Sequence, residues 1–252
     1  MQSHRYEELL PEEFYAELER APVAYFACGA MEEHGLHNPL GTDFVQCYEM
    51  ALRAAEITGG IVFPPVPFAP AGIPGHTREE LRSGTLQLFA PSLWISREAC
   101  ELLYTELLES LADLGFKVCM ALGGHWPADL LLRDIDRKHG GEIRGMRFWG
   151  GGTVSLLEDN WLADLEACDP LAGGHGTLWE TSLIMALRPE WVDLERFRRI
   201  DESPLPSQLK GGGERNARIA EASVEMGEEV LAAALKSLVA KVDGTLASAL
   251  SC

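Results

Sequence analysis

Short apolar runs alternate with helically spaced segments along almost the whole chain, and this alternation restricts the folds open to it. Residues 22–28 (PVAYFAC) are apolar, end at Gly29 and suit a buried strand. Residues 42–58 then place Phe44, Val45, Tyr48, Met50, Ala51 and Ala54 at helical spacing, after a Thr42-Asp43 start able to cap a helix. Residues 60–68 (GIVFPPVPF) read as a strand running into a proline-rich turn, and the Gly- and Pro-rich stretch 70–82 reads as a loop. The clearest helix is 92–114, with Trp94, Ile95, Leu102, Leu103, Leu107, Leu111 and Leu114 in phase and Gly115 to stop it. A strand at 116–122 (FKVCMAL) leads to a helix at 127–138, with Pro127 in its first turn, where a missing N–H is harmless. A short strand at 146–150 ends at the Gly150-Gly151-Gly152 triplet. Helices follow at 179–187 and 221–242, on either side of a polar, Gly-rich segment at 200–216 that reads as a flap or a surface loop. The alternation predicts an α/β layer fold with a largely parallel sheet, in which sites gather at the carboxyl ends of the strands.

Bulk properties narrow the function. The 252 residues, 46% hydrophobic, can bury a sizeable core, and no repeat or linker divides them, so 1–252 reads as a single domain. The formal charge of −18, with 39 acidic against 21 basic residues, repels phosphate backbones and argues against nucleic acid as a partner. No apolar stretch nears the roughly 20 residues a membrane span needs, and residues 1–10 lack the apolar core of a secretory signal. The six cysteines are scattered, with no Cys-x-x-Cys pair, and read as reduced, mostly buried thiols. The expected location is cytoplasmic.

Three Gly-flanked loops carry the candidate chemistry. The first follows the 22–28 strand and concentrates Glu32, Glu33, His34, His37 and Asp43. Carboxylates and imidazoles are the ligands that Zn²⁺, Mn²⁺ and Fe²⁺ accept. Glu32 and His34 lie two apart, so extended backbone would aim both the same way; a solvated polar loop is the competing reading. The second is Gly123-Gly124-His125-Trp126-Pro127, where His125 falls at a strand-to-helix turn. A histidine satisfied by a local hydrogen bond would look the same. The third, Gly173-Gly174-His175-Gly176-Thr177-Leu178-Trp179-Glu180-Thr181-Ser182, brings a histidine suited to proton transfer and then Glu180 at a helix start. There Glu180 serves either as a ligand or as a stabiliser of the helix N-terminus.

Jointly these segments resemble the creatininase family of metal-dependent amidohydrolases. The first family motif, Glu-x-His-Gly-x-His-x-Pro-x-x-Thr-Asp, is matched without gaps by Glu32 to Asp43; Gly124-His125 match the centre of the second; His175 with Glu180-Thr181-Ser182 match the third. Gly84-Thr85-Leu86 also matches a segment between the first two motifs. The resemblance implies a three-layer α/β/α domain, mainly parallel in its sheet, in a homo-oligomer such as a hexamer. It implies two divalent metal ions (Zn, Mn or Fe) per chain, one on Glu32, Asp43 and His125, the other on His34, Asp43 and Glu180, with Asp43 bridging. His175 would transfer protons while a metal-activated hydroxide attacks a carbonyl carbon.

The second motif departs from the family. Trp126-Pro127-Ala128 stand where Gly-Gly-Asn is usual, and creatininase itself carries a tyrosine and a glutamate after its histidine. Pro127 can neither ligate nor accept a proton, so creatinine is not the expected substrate. Trp126 reads as an aromatic wall for a flat or ring-shaped substrate, or equally as a core residue. His37 is a candidate substrate contact or support for a ligand, His76 a candidate contact from a lid or a neighbouring subunit, and Glu33 a supporting or surface residue. The expected activity is hydrolysis of a C–N bond in a small molecule: a cyclic amide first, or a formamide or related amide. The alternatives are ring opening of a carbocyclic ketone, or a non-catalytic member that serves as a ligand-binding or assembly module.

Overall fold

The computed structural model describes residues 3–71, 77–83, 92–157, 175–199 and 218–250. In chain order its elements are α1 (Pro11–Arg20), β1 (Val23–Cys28), α2 (Thr42–Thr58), β2 (Ile61–Val62), α3 (Arg78–Ser83), α4 (Arg97–Asp113), β3 (Val118–Gly123), α5 (Trp126–His139), β4 (Glu142–Ile143), β5 (Met146–Gly152), α6 (Thr153–Leu157), α7 (Leu178–Leu187), α8 (Leu194–Arg198) and α9 (Val224–Leu250). The strands form one sheet in the order β2-β1-β3-β5-β4. The first four are parallel, and β4 pairs antiparallel with β5.

Every residue of β1 and β3 is buried, as expected for parallel strands covered on both faces. Val23, Tyr25 and Ala27 of β1 join Val118, Met120 and Leu122 of β3 in a core closed by α2, α6, α7 and α9. The intervening Ala24, Phe26, Cys28, Cys119 and Ala121 pack against α1, α4 and α5. The three-layer α/β/α reading therefore holds. Cys28, Cys47, Cys100 and Cys119 are buried free thiols, while Cys168 and Cys252 lie outside the described residues.

The site follows from the winding. From β1 the chain passes through α2 to β2 on one side; from β3 it passes through α5 to β5 on the other. The carboxyl ends of β1 and β3, register-paired at Cys28 and Gly123, thus flank a topological switch point, where such sheets open a crevice. The loops closing it touch: Gly124 N–H donates to the Cys28 carbonyl at 2.9 Å. A Cβ on Gly124 would sit 1.7 Å from the Asp43 carbonyl oxygen, so no side chain fits there.

Some boundaries differ from the sequence reading. Residues 92–96 are not helical. Ser96 caps α4 by accepting from Ala99 N–H, and Leu93 N–H donates to the Met31 carbonyl at 2.9 Å, which ties this segment to the site loop. The stretch read as a loop at 70–82 contains α3, begun by a capping box: Glu80 accepts from Thr77 N–H at 2.7 Å, and Thr77 accepts from Glu80 N–H at 3.2 Å. β5 runs on through the glycine triplet, because glycines let it press against α5; a Cβ on Gly150 would lie 2.3 Å from the Leu132 carbonyl. The last helix extends to Leu250. The 200–216 segment and Gly84-Thr85-Leu86 lie outside the described residues.

Candidate metal centre

The loop after β1 places Glu32 and His34 over the crevice. Glu32 N–H donates to the Leu40 carbonyl at 3.0 Å, which closes the loop. His34 Nδ1 lies 3.1 Å from the Glu32 carbonyl. A carbonyl only accepts, so Nδ1 carries a proton and Nε2 is the nitrogen directed at the cluster. That Nε2 is 2.9 Å from Asp43 Oδ1 and 3.7 Å from Glu180 Oε2. Asp43 stands in the first turn of α2. His125, the residue before α5, puts Nδ1 3.0 Å from Glu32 Oε2 and 3.1 Å from Asp43 Oδ2. Glu180 enters from the first turn of α7.

These contacts resolve into two triads, Glu32–Asp43–His125 and His34–Asp43–Glu180, with the offered ligand atoms of each within 4.8 Å of one another. Asp43 belongs to both and turns one oxygen toward each. All five residues are at most 8% exposed. Three carboxylates and two imidazoles buried together leave negative charge in excess even if both imidazoles are protonated. Apart from the ion pairs they make with one another, Glu32 Oε1 and Oε2, His34 Nε2, Asp43 Oδ2 and His125 Nε2 have no hydrogen-bond partner. Buried anionic oxygens require compensation, and an N/O donor set of this composition suits divalent zinc, manganese or iron.

The protein's own charges set the protonation of the metal-free cluster. Burial alone would lower both imidazoles. Around His34 the carboxylates of Asp43, Glu180 and Glu32 outweigh it and raise the pKa well above the ordinary value. Glu32 and Asp43 likewise raise His125 to about 10. Burial opposes ionisation of Asp43, but the two imidazoles hold its pKa below the usual range. Burial wins at Glu180 and raises its pKa, although His34 pulls the other way.

His175 differs from the five in exposure. Its side chain is 31% exposed, so a small molecule can reach it. Its ring lies 4.2 Å from that of His34, and Nε2 is 2.5 Å from the Glu33 carbonyl. Nε2 therefore donates, leaving Nδ1 as the basic nitrogen, 3.9 Å from Glu32 Oε2. The Glu33 side chain, alternating away from Glu32, is buried rather than superficial. Its Oε2 accepts from Gly35 N–H at 3.0 Å, and Oε1 lies 3.8 Å from His175 Nε2. Burial and His34 lower the His175 pKa, but Glu33, Glu32 and Glu180 together overcome them and the net shift is upward.

His37 is 3% exposed. Its Nε2 lies 3.0 Å from Thr181 Oγ1, to which Asn38 Nδ2 donates at 2.9 Å. Burial lowers the His37 pKa to about 4, which keeps it neutral. This is the placement of a support for the first turn of α7 rather than of a substrate contact. Trp126 is 41% exposed with the Arg133 guanidinium 5.7 Å from its ring, so the core reading fails and a surface wall remains. His76 lies outside the described residues. Sequence reasoning passed over Gln46, whose buried amide donates to the Gly124 carbonyl at 2.8 Å and to Glu180 Oε1 at 3.2 Å. Its signal was spacing: three residues past Asp43 on a helix shares that face.

A doubly wound sheet presenting a buried carboxylate–imidazole cluster at its switch point, beside an accessible histidine, defines the class of metal-dependent hydrolases. A family model described as "Creatininase: Creatinine amidohydrolase" matches residues 7–242. The chain belongs to the creatininase family. It is 24% identical over 200 residues to a creatinine amidohydrolase of Pseudomonas putida, covering 72% of this chain and 70% of that protein. A Zn–Zn form of a creatininase variant superposes with a TM-score of 0.70 at 23% identity, covering 96% of this chain and 98% of the other. A manganese creatininase gives 0.69 at 22% identity with the same coverage.

Proposed function

We propose that this chain hydrolyses a C–N bond in a small, cyclic amide, with one divalent ion held by Glu32, Asp43 and His125 and a second by His34, Asp43 and Glu180. The observation that carries the reading is the sharing of Asp43, one oxygen toward each triad. When bound, the two ions lower the pKa of water at the site and stabilise the oxyanion that develops on the carbonyl.

The chain's own residues do the rest. His34 is held in the tautomer that offers Nε2 to an ion by its Nδ1–H bond to the Glu32 carbonyl. His175 is anchored through Nε2–H, so Nδ1 accepts a proton from the attacking water and returns it to the leaving nitrogen. Glu33, beside His175 Nε2, stabilises the protonated imidazole that forms in between. Exposed Trp126 supplies a flat apolar surface of the kind a ring-shaped substrate stacks on. Pro127 stands where creatininase carries a glutamate, which disfavours creatinine itself. In a homo-oligomer the exposed side chains of Leu10, Tyr15, Ile57 and Leu102 would find cover.

The test is a substrate screen on metal-reconstituted protein, with cyclic amides and carbocyclic ketones in parallel. Hydrolysis of a cyclic amide that disappears with chelation and in His175→Ala is expected. Turnover of ketones alone would replace the C–N assignment with C–C cleavage. Normal rates in His175→Ala would remove that residue from proton transfer.

A further inference from the structure

We infer that Gln46 is a positioning residue for the metal position built on Glu180, an inference that rests on the two-position reading above. Gln46 is fully buried on α2, one turn beyond Asp43. Its Nε2 donates to the Gly124 carbonyl at 2.8 Å and to Glu180 Oε1 at 3.2 Å. The carbonyl can only accept, so the amide orientation is fixed and the donor necessarily faces Glu180. One side chain thus ties the residue preceding His125 to the carboxylate arriving from α7.

The two non-shared carboxylates are held differently. Glu32 Oε1 has no hydrogen-bond partner, and Oε2 faces only imidazoles of the site, His125 Nδ1 at 3.0 Å and His175 Nδ1 at 3.9 Å. Glu180 has both engaged, Oε1 by Gln46 and Oε2 by Gly176 N–H at 2.7 Å. Glu180 is therefore oriented by neutral groups of the protein as well as by His34 Nε2, 3.7 Å from Oε2, and without Gln46 only the Gly176 bond among those neutral groups would direct it. A neutral amide suits this role. It supplies a donor without the charge of a lysine or arginine, which would compete with the ion for the carboxylate. Partners of ligating carboxylates typically tune metal affinity by about 10–100-fold.

The test is stepwise titration of metal-free protein with Co²⁺, followed by visible absorption and calorimetry, on wild type and on Gln46→Met, which keeps the length and removes the donor. Wild type takes up two equivalents. In Gln46→Met one equivalent weakens by about 10–100-fold with an altered Co²⁺ spectrum, while the other stays within about threefold. Gln46→Asn keeps an amide but shortens its reach; it shows the same selective loss and serves if the Met variant does not fold. Wild-type affinity for both equivalents in either folded variant overturns the inference, as does equal weakening of both, which would mark a purely structural residue. A wild-type protein that takes up one equivalent or none overturns the two-position reading itself, and the Gln46 inference with it.

Discussion

Asp43 is the residue on which both triads depend, because each takes one of its oxygens. Asp43→Ala is expected to reduce metal content from about two ions per chain to below about one, and activity by more than about 100-fold, beyond what changes to outer partners cause. Elemental analysis of protein purified without chelator, alongside the rate, checks both. The same cluster fixes how metal uptake depends on pH. In the metal-free protein His125 titrates at about 10 and His34 also lies well above its ordinary value, so both are protonated at neutral pH. Both raised values place the proton on the metal-free state below the shifted pKa, and a ligating imidazole must give it up. Metal binding at pH 7 should therefore release about two protons per chain, and affinity should fall as the pH is lowered. Calorimetry in buffers of different ionisation enthalpy measures the release; none would mean the imidazoles are neutral before metal binds or do not ligate. The six residues of this centre were legible because motif spacing survives in the sequence. Gln46 and the Glu33–His175 contact were not, because both depend on how separate loops meet.

At the scale of elements, the centre depends on the first turn of α2 pressing against the β3–α5 loop. Gly124 is the point of closest approach, and any Cβ there collides with the Asp43 carbonyl at 1.7 Å. Gly124→Ala must push α2 and α5 apart, displacing Asp43 and His125 from each other. It is expected to destabilise metal-free protein by about 1–3 kcal/mol and to weaken metal binding as well. Urea unfolding with chelator present, together with a Zn²⁺ titration, separates the two effects. Unchanged metal affinity would show that the loops can shift without moving the ligands. The strands and helices that form this junction, β1, α2, β3 and α5, were readable from sequence within two residues at each end, because doubly covered strands are continuous apolar runs and their helices are long. The two-residue β4 and five-residue α6 are too short for any period to register. The helical phase of Trp94 and Ile95 misled, since Ser96 caps α4 and the preceding residues are drawn out toward Met31. The Thr77–Glu80 capping box was present in the sequence but masked by the Gly- and Pro-rich composition around it.

At the scale of the whole molecule, the candidate metal ligands come from segments that are distant in sequence: the β1–α2 connection, the start of α5 and the start of α7. Ions binding there cross-link both helical layers, since α5 lies on one face and α2 and α7 on the other. The metal-free cluster is not bare, because its imidazoles partly neutralise its carboxylates. The sheet and both cores are built from apolar side chains that need no ion, so stripped protein should keep its secondary structure and melt earlier. Binding to the folded state alone stabilises by mass action, about 4 kcal/mol for an ion present at 1,000 times its Kd. For a chain of this size each kcal/mol shifts Tm by about 2–4 °C, so saturating one position should raise Tm by about 8–16 °C. Thermal unfolding across a series of free Zn²⁺ concentrations tests this, with far-ultraviolet circular dichroism to verify that the stripped chain is folded. A Tm that rises with the logarithm of metal concentration in wild type, and stays flat in Asp43→Ala, places the ions at this cluster. Equal shifts in both proteins would instead locate the stabilising metal elsewhere on the strongly acidic surface.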